Sequence, residues 1–337
     1  MSGLTAQKIT IFAAIMLQEI QQPIVHDLER YRACFRSALV CDNPLLSAAL
    51  RHVTQREGKQ MRPTLVMLCA LAAGAVTDAS LHAAVGLELL HTASLLHDDV
   101  LDESDTRRGQ PSVNALWGNK AAVLVGDFLT SKALQEVTAT DHPRVIARTG
   151  WLGQQLADGE LEQMAVMAEP DFRPDRYYSV IGKKTASLFS TAALAGALLG
   201  GANDELAGRL ERVGHAIGLC FQLRDDLLDF DSSQLTGKPK FIDLREGKVT
   251  LPLIYALNTT GDVAMTKLAL HARCGEASDA ECRELTSFAI DHGGVAHAES
   301  EMQRLRDEAC AELGTLANDD AARALQRYFD FVIQRDL

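Results

Sequence analysis

"SLHAAVGLELLHTASLLHDDVLDE", residues 80–103, begins as an apolar run and ends in carboxylates. Its apolar positions recur at helical spacing and show no strand-like alternation, so it reads as one long helix. Past its end the acids continue: Asp98, Asp99, Asp102, Glu103 and Asp105 put five carboxylates within eight residues. The same periodicity returns over 21–39, 119–137, 145–166 and 205–230. Breaks fall at Gly58, Gly109 to Pro111, His142-Pro143, Pro170 to Pro174, Gly200-Gly201 and Gly237 to Pro239. No strand pattern competes. The composition, 47% apolar but only 5% aromatic and rich in Ala and Leu, favours helices as well. These features predict an all-α bundle of long helices around a central cavity. Nothing in the chain resembles a linker, so residues 1–337 are expected to form a single domain.

The net charge of −12 argues against a nucleic-acid partner and makes the few clustered cations informative. The seven cysteines are scattered without a C-x-x-C pair, which predicts a reducing compartment, the cytoplasm, rather than a disulfide framework or zinc site. The N-terminus lacks a strong basic leader. The most apolar stretch, 185–202, is rich in Ala and Gly and follows a lysine pair; it is expected to be a buried central helix and not a membrane span.

The acidic pattern occurs twice, as "DDVLD" at 98–102 and "DDLLD" at 225–229, each closing an apolar helix. Asp98 and Asp102 share a helix face, as do Asp225 and Asp229. Like charges at that spacing weaken a helix, and negative charge at a C-terminal end opposes the helix dipole. Local stability therefore selects against both motifs, and a bound divalent cation reverses that account. Carboxylate oxygens suit Mg²⁺, which joins a few carboxylates to substrate phosphates and keeps several waters. An isolated acidic helix end is commonly just solvated; two copies, each followed by cations, point to chemistry. Those cations are Lys59 and Arg62, Arg107 and Arg108, Lys183 and Lys184, and Lys238 and Lys248. Each alone is an ordinary surface charge, but together they imply two diphosphates, one held through metal and one by cations. His91, two turns before Asp98, is expected to look into the same cavity.

At this point a resemblance is plain. "GKQMRP", "LLHTASLLHDDVLDESDTRRG", "VGDFL", "KKTASLF", "FQLRDDLLDF" and "GKPKFIDLREGKVTLPLI" occur in an order that resembles the trans-isoprenyl diphosphate synthases, the polyprenyl synthetase family, and particularly its bacterial octaprenyl-type members. The resemblance covers about 58 to 254 and implies an isoprenoid synthase fold, a prenyltransferase activity and a homodimer. By that resemblance Lys59, Arg62, His91 and Arg108 hold isopentenyl diphosphate, and Arg107, Lys184, Thr185, Gln222 and Lys238 hold the allylic diphosphate. Asp98, Asp102 and Asp225 become the principal ligands of several Mg²⁺ ions, supported by Asp99, Asp226 and Asp229. The implied reaction ionises the allylic diphosphate, expected to be farnesyl diphosphate, and adds isopentenyl units to it.

Product length is expected to depend on the helix face below Asp98. Small residues at Ala93 and Ser94 stand where short-chain relatives often carry a blocking aromatic, and Leu90, Leu87, Phe128 and Leu129 would line an apolar tunnel below. A medium or long product near octaprenyl follows, serving as a quinone side chain or another membrane lipid; a shorter farnesyl or geranylgeranyl product is the alternative. Arg224 departs from the family pattern, in which a neutral residue is more usual, and is expected to pair with a carboxylate. A terpene cyclase would lack "DDLLDF" and "GKQMRP". A non-catalytic partner subunit would tolerate loss of one acidic motif, and a metal-binding structural protein would need no diphosphate.

Overall fold

The computed structural model describes residues 13–55, 58–107, 109–230 and 241–334, and almost all of them are helical. Residues 13–21 lead through a short 3-10 turn, Gln22–Ile24, into α1 (Val25–Ala38). There follow α2 (Pro44–Thr54), α3 (Met61–Ala73) and the long α4 (Asp78–Leu101). A hairpin of two-residue strands, β1 (Thr106–Arg107) and β2 (Gln110–Pro111), then turns the chain into α5 (Val113–Trp117) and α6 (Asn119–Thr138). α7 (Pro143–Met167) and α8 (Pro174–Ile181) precede a π turn, Gly182–Ala186, that runs directly into α9 (Ser187–Leu199). α10 (Asp204–Leu228) carries the second acidic motif. The remainder is α11 (Ile242–Arg245), α12 (Leu251–Thr260), α13 (Val263–Arg273), α14 (Asp279–Asp291), α15 (Gly294–Leu313) and α16 (Asp319–Gln334).

Local chemistry starts these helices where the sequence says it should. Thr77 and Ser80 form a reciprocal capping box at α4, and Asn43 and Asn203 accept backbone N–H groups at α2 and α10. Proline occupies the first turn of α2, α7, α8 and α12, where its missing N–H costs no helical bond. The hairpin is too short to leave an alternating pattern, and this is why periodicity does not announce it.

The core is one continuous apolar cluster with members from Ile20 to Val332. At its centre α9 is buried at every residue except Leu199 and packs against α10, α3 and α7. The stretch 185–202 is thus a buried central element, divided between a π turn and a short helix. Close approach depends on missing side chains. A Cβ on Gly196 would lie 2.1 Å from the Val66 carbonyl oxygen, and one on Gly218 would lie 2.5 Å from Cα of Ala186 in the π turn. α4, which packs against α6, α3, α9 and α1, is the one helix among the described residues long and apolar enough to cross a membrane. More than half of its most apolar window is buried inside the protein.

Candidate active site

α4 and α10 both end at one cavity of about 300 Å³, closed on its other sides by α7, α8, the π turn and the segment that joins α11 to α12. Asp98, Asp102, Arg107, Lys184, Thr185, Gln222 and Asp226 all line it, so residues more than a hundred positions apart meet as the two acidic motifs require.

Asp98 and Asp102 face the cavity together. Burial, followed by the negative charge of Glu160, pushes the Asp98 carboxyl up to about 6, against the partial relief of Lys184. Asp99 points to the other side of α4 and is fully buried, its Oδ1 accepting from Nε of Arg107 at 2.5 Å. Arg107 forms part of the wall between the acidic cavity and a smaller pocket of about 100 Å³, which Asp99 and His91 line with His52 and Glu88. His91 does share the helix face of Asp98. At ~1.5 Å rise per residue, however, it sits roughly 10 Å further along α4, and it opens into that smaller pocket instead of the acidic cavity.

On the opposite wall the π turn separates two consecutive lysines. Lys184 turns into the cavity, where its Nζ donates to Oε1 of Gln163 at 2.9 Å and pairs with Glu160. Lys183 turns away, pairs with Asp158 at 2.6 Å and Glu162 at 2.9 Å, and lines a separate cavity of about 660 Å³. Thr185 donates to Oε1 of Gln222 at 2.7 Å, and Nε2 of Gln222 donates to Oδ1 of Asp226 at 2.8 Å. The second oxygen of Asp226 accepts from the Tyr177 hydroxyl at 2.5 Å. Asp225 and Asp229 are half-buried beside it, and Oδ2 of Asp229 accepts the backbone N–H of Asp243 at 2.7 Å.

Several members of this site escape a reading of the sequence. Asp243 lies in "FIDLREGK", outside both acidic repeats; it lines the cavity, and burial raises the pKa of its carboxyl, with Asp226 and Asp229 adding to the effect. Lys248 lines the cavity beside it and pairs with Glu246 at 2.6 Å. Gln163, Glu160 and Tyr177 carry no motif signal, and only tertiary packing brings them in. Lys59 and Arg62 stand elsewhere, over the Phe331 and Phe189 rings, each at 5.3 Å. Ala93, Leu87 and Leu129 are buried in the core, while Ser94, Leu90 and Phe128 are half-buried; the acidic cavity reaches Leu95 on α4 but none of these six. Arg108 and Lys238 lie outside the described residues.

Among the described residues no three carboxylates, histidines or cysteines converge closely enough to chelate one ion unaided. The donors are hard oxygens crowded on both walls, and the like-charge stress on Asp98 is what a cation would relieve. This donor set fits Mg²⁺, which takes one or two carboxylates and completes its shell with water and phosphate oxygens.

The fold recurs in solved structures and the sequence in known relatives. A geranylgeranyl pyrophosphate synthase structure from Bacteroides thetaiotaomicron superposes with a TM-score of 0.84 at 38% identity, covering 95% of this chain and 99% of that one. The chain is 36% identical to nonaprenyl diphosphate synthase of Mycobacterium tuberculosis over 86% of its length and 87% of the relative's. It is 34% identical to octaprenyl diphosphate synthase of Escherichia coli, covering 95% and 99%. The fold is that of the all-α isoprenoid synthases, and the chain is a prenyltransferase. The family model "Polyprenyl synthetase" matches residues 43–287, and the chain belongs to that family of trans-polyprenyl diphosphate synthases.

Proposed function

We propose that this protein condenses isopentenyl diphosphate with an allylic diphosphate, farnesyl diphosphate being the expected primer, to give a product near octaprenyl length. The observation that carries the reading is the meeting in one cavity of Asp98, Asp102 and Asp226 with Arg107, Lys184, Thr185 and Gln222. Magnesium, held by Asp98 and Asp102 on α4 and by Asp225 on α10, would supply positive charge to the diphosphate leaving group. Arg107, Lys184 and Lys248 bind the same diphosphate directly and orient its C–O bond, and the apolar walls formed by Leu95, Val180 and Ile181 keep water from the carbon left behind. As that bond breaks, the double bond of isopentenyl diphosphate forms the new C–C bond. A proton then leaves the adjacent carbon for the departing diphosphate, which restores a trans double bond. Lys59, Arg62, His91 and Arg108 are the candidates for the second diphosphate.

Chain length near octaprenyl is supported by the small side chains of Ala93 and Ser94 and by the names of the relatives, which nevertheless run from geranylgeranyl to decaprenyl. At about 300 Å³ the cavity is at the small end of ligand sites, which span ~300–1,000 Å³, and on this reading a growing tail extends beyond it along the faces of α4 and α6 that carry Ala93, Leu90, Phe128 and Leu129. One domain over residues 1–337, a cytoplasmic location consistent with seven free cysteines, and a homodimer complete the proposal. Leu116, Val123, Leu124 and Leu134 lie exposed on α5 and α6 and supply an apolar face for the dimer. The deciding experiment incubates the protein with labelled isopentenyl diphosphate, farnesyl diphosphate and Mg²⁺, with and without chelator. A chelator-sensitive ladder ending near octaprenyl is expected. A stop at geranylgeranyl length would keep the reaction and overturn the length, and no elongation from either geranyl or farnesyl primer would favour a non-catalytic partner subunit.

A further inference from the structure

Tyr177 stands at the head of a chain of hydrogen bonds whose direction can be read throughout. It is 7% exposed, on α8, and its hydroxyl donates to Oδ2 of Asp226, itself 4% exposed on α10. Oδ1 of Asp226 accepts from the amide nitrogen of Gln222, one turn back on the same helix. The amide oxygen of Gln222 accepts from the Thr185 hydroxyl at the end of the chain nearest Lys184. An ionised carboxylate only accepts, so Asp226 dictates which end of the Gln222 amide faces it. The nitrogen turns inward to the acid, and the oxygen is left toward Thr185 and the cavity. Without an acceptor fixed behind it, that amide has two orientations of similar energy and opposite polarity.

We propose that Tyr177 is a positioning residue for prenyl transfer: by holding Asp226 it sets the Gln222 amide with its oxygen toward Thr185 and the cavity. This rests on the transferase reading above. Both oxygens of Asp226 serve partners inside the protein, so the acid works as a bracket between α8 and α10, with Tyr177 at the opposite end of the hydrogen-bond chain from Thr185. Its effect reaches the chemistry through polarity fixed two residues away, at the Gln222 amide.

The test is Tyr177→Phe, which keeps the ring and removes the one donor. With isopentenyl diphosphate and farnesyl diphosphate, kcat is expected to fall about 10- to 100-fold, the range for a partner that orients a site residue. The KM for isopentenyl diphosphate and the Kd of a non-ionising farnesyl thiolodiphosphate with Mg²⁺ are expected to stay within about twofold, since Arg107, Lys184 and Lys248, which carry most of the diphosphate's charge, are left in place. Retained analogue binding also establishes that the variant is folded. In a Gln222→Met background the same substitution should cost nothing further, because its target is gone. Asp226→Asn, which offers the amide a donor as well as an acceptor, should reproduce the loss in kcat. Wild-type kcat in Tyr177→Phe, an equal loss in both backgrounds, or lost analogue binding would each overturn the proposal while leaving the transferase reading intact. Absence of elongation by the wild-type protein would overturn both.

Discussion

Asp98 feels its protein neighbours more than it feels water. In the unfolded chain its carboxyl ionises near the ordinary 3.8, whereas in the metal-free fold it ionises at about 6. Below the lower value both states hold the proton, and the group has no effect on stability. Between the two the unfolded chain has released its proton and the folded chain has not, so rising pH weakens the fold, and the full loss is present above 6. The effect is bounded by about 3 kcal/mol, from ~1.4 kcal/mol per pKa unit. In the metal-free protein Asp98→Asn should therefore melt higher than wild type at pH 7, with the difference shrinking toward pH 4. Calorimetry at constant ionic strength measures it, and parallel melting curves would show that Asp98 bears no such stress. The same logic makes Mg²⁺ compete with protons at this residue, so metal affinity should decline as pH falls through 6.

At the scale of the element, α4 combines two tasks that the sequence already displays, an apolar body and an acidic end. Ala93→Phe places a ring one turn and a half below Asp98, on a side chain now buried in the core. The expected outcome is a shorter product with some loss of thermal stability from overpacking, read by chromatography of the products and by melting. An unchanged product distribution would remove Ala93 from the path of the tail. α4, α6, α7 and α10 are legible because their helical periodicity is long, and at α4, α7 and α10 a cap or a proline marks the same start. The acidic ends are legible because they defy local stability. By contrast, Glu160, Gln163, Asp243 and Tyr177 join the site only through contacts between helices, which no local pattern encodes. The depth of His91 depends on axial rise as well as on helical face, so facing alone does not fix that it lines the smaller pocket.

Across the whole molecule, the exposed apolar side chains of α5 and α6 and the net charge of −12 work in opposite directions. One favours association, and the other resists it. Replacing Leu124 and Leu134, which are 66% and 56% exposed, with lysine should convert a dimer to a monomer in analytical ultracentrifugation with little change in helix content. A wild-type protein that sediments as a monomer at micromolar concentration would dispose of the dimer.

The π turn at Gly182–Ala186 sets the angular frame of the rod formed by α8 and α9. It inserts one residue beyond an α-helical repeat, and each residue of an α-helix advances ~100° about the axis. A single-codon deletion within it would leave the composition and helix content almost untouched. It would let the turn close as an ordinary α-helical turn, keeping α8 and α9 in phase and confining the change to the turn that carries Lys183 and Lys184. For this protein, then, an in-frame loss of one residue is a milder lesion at the turn than within α8 or α9, where it would shift the phase of the helix by ~100°.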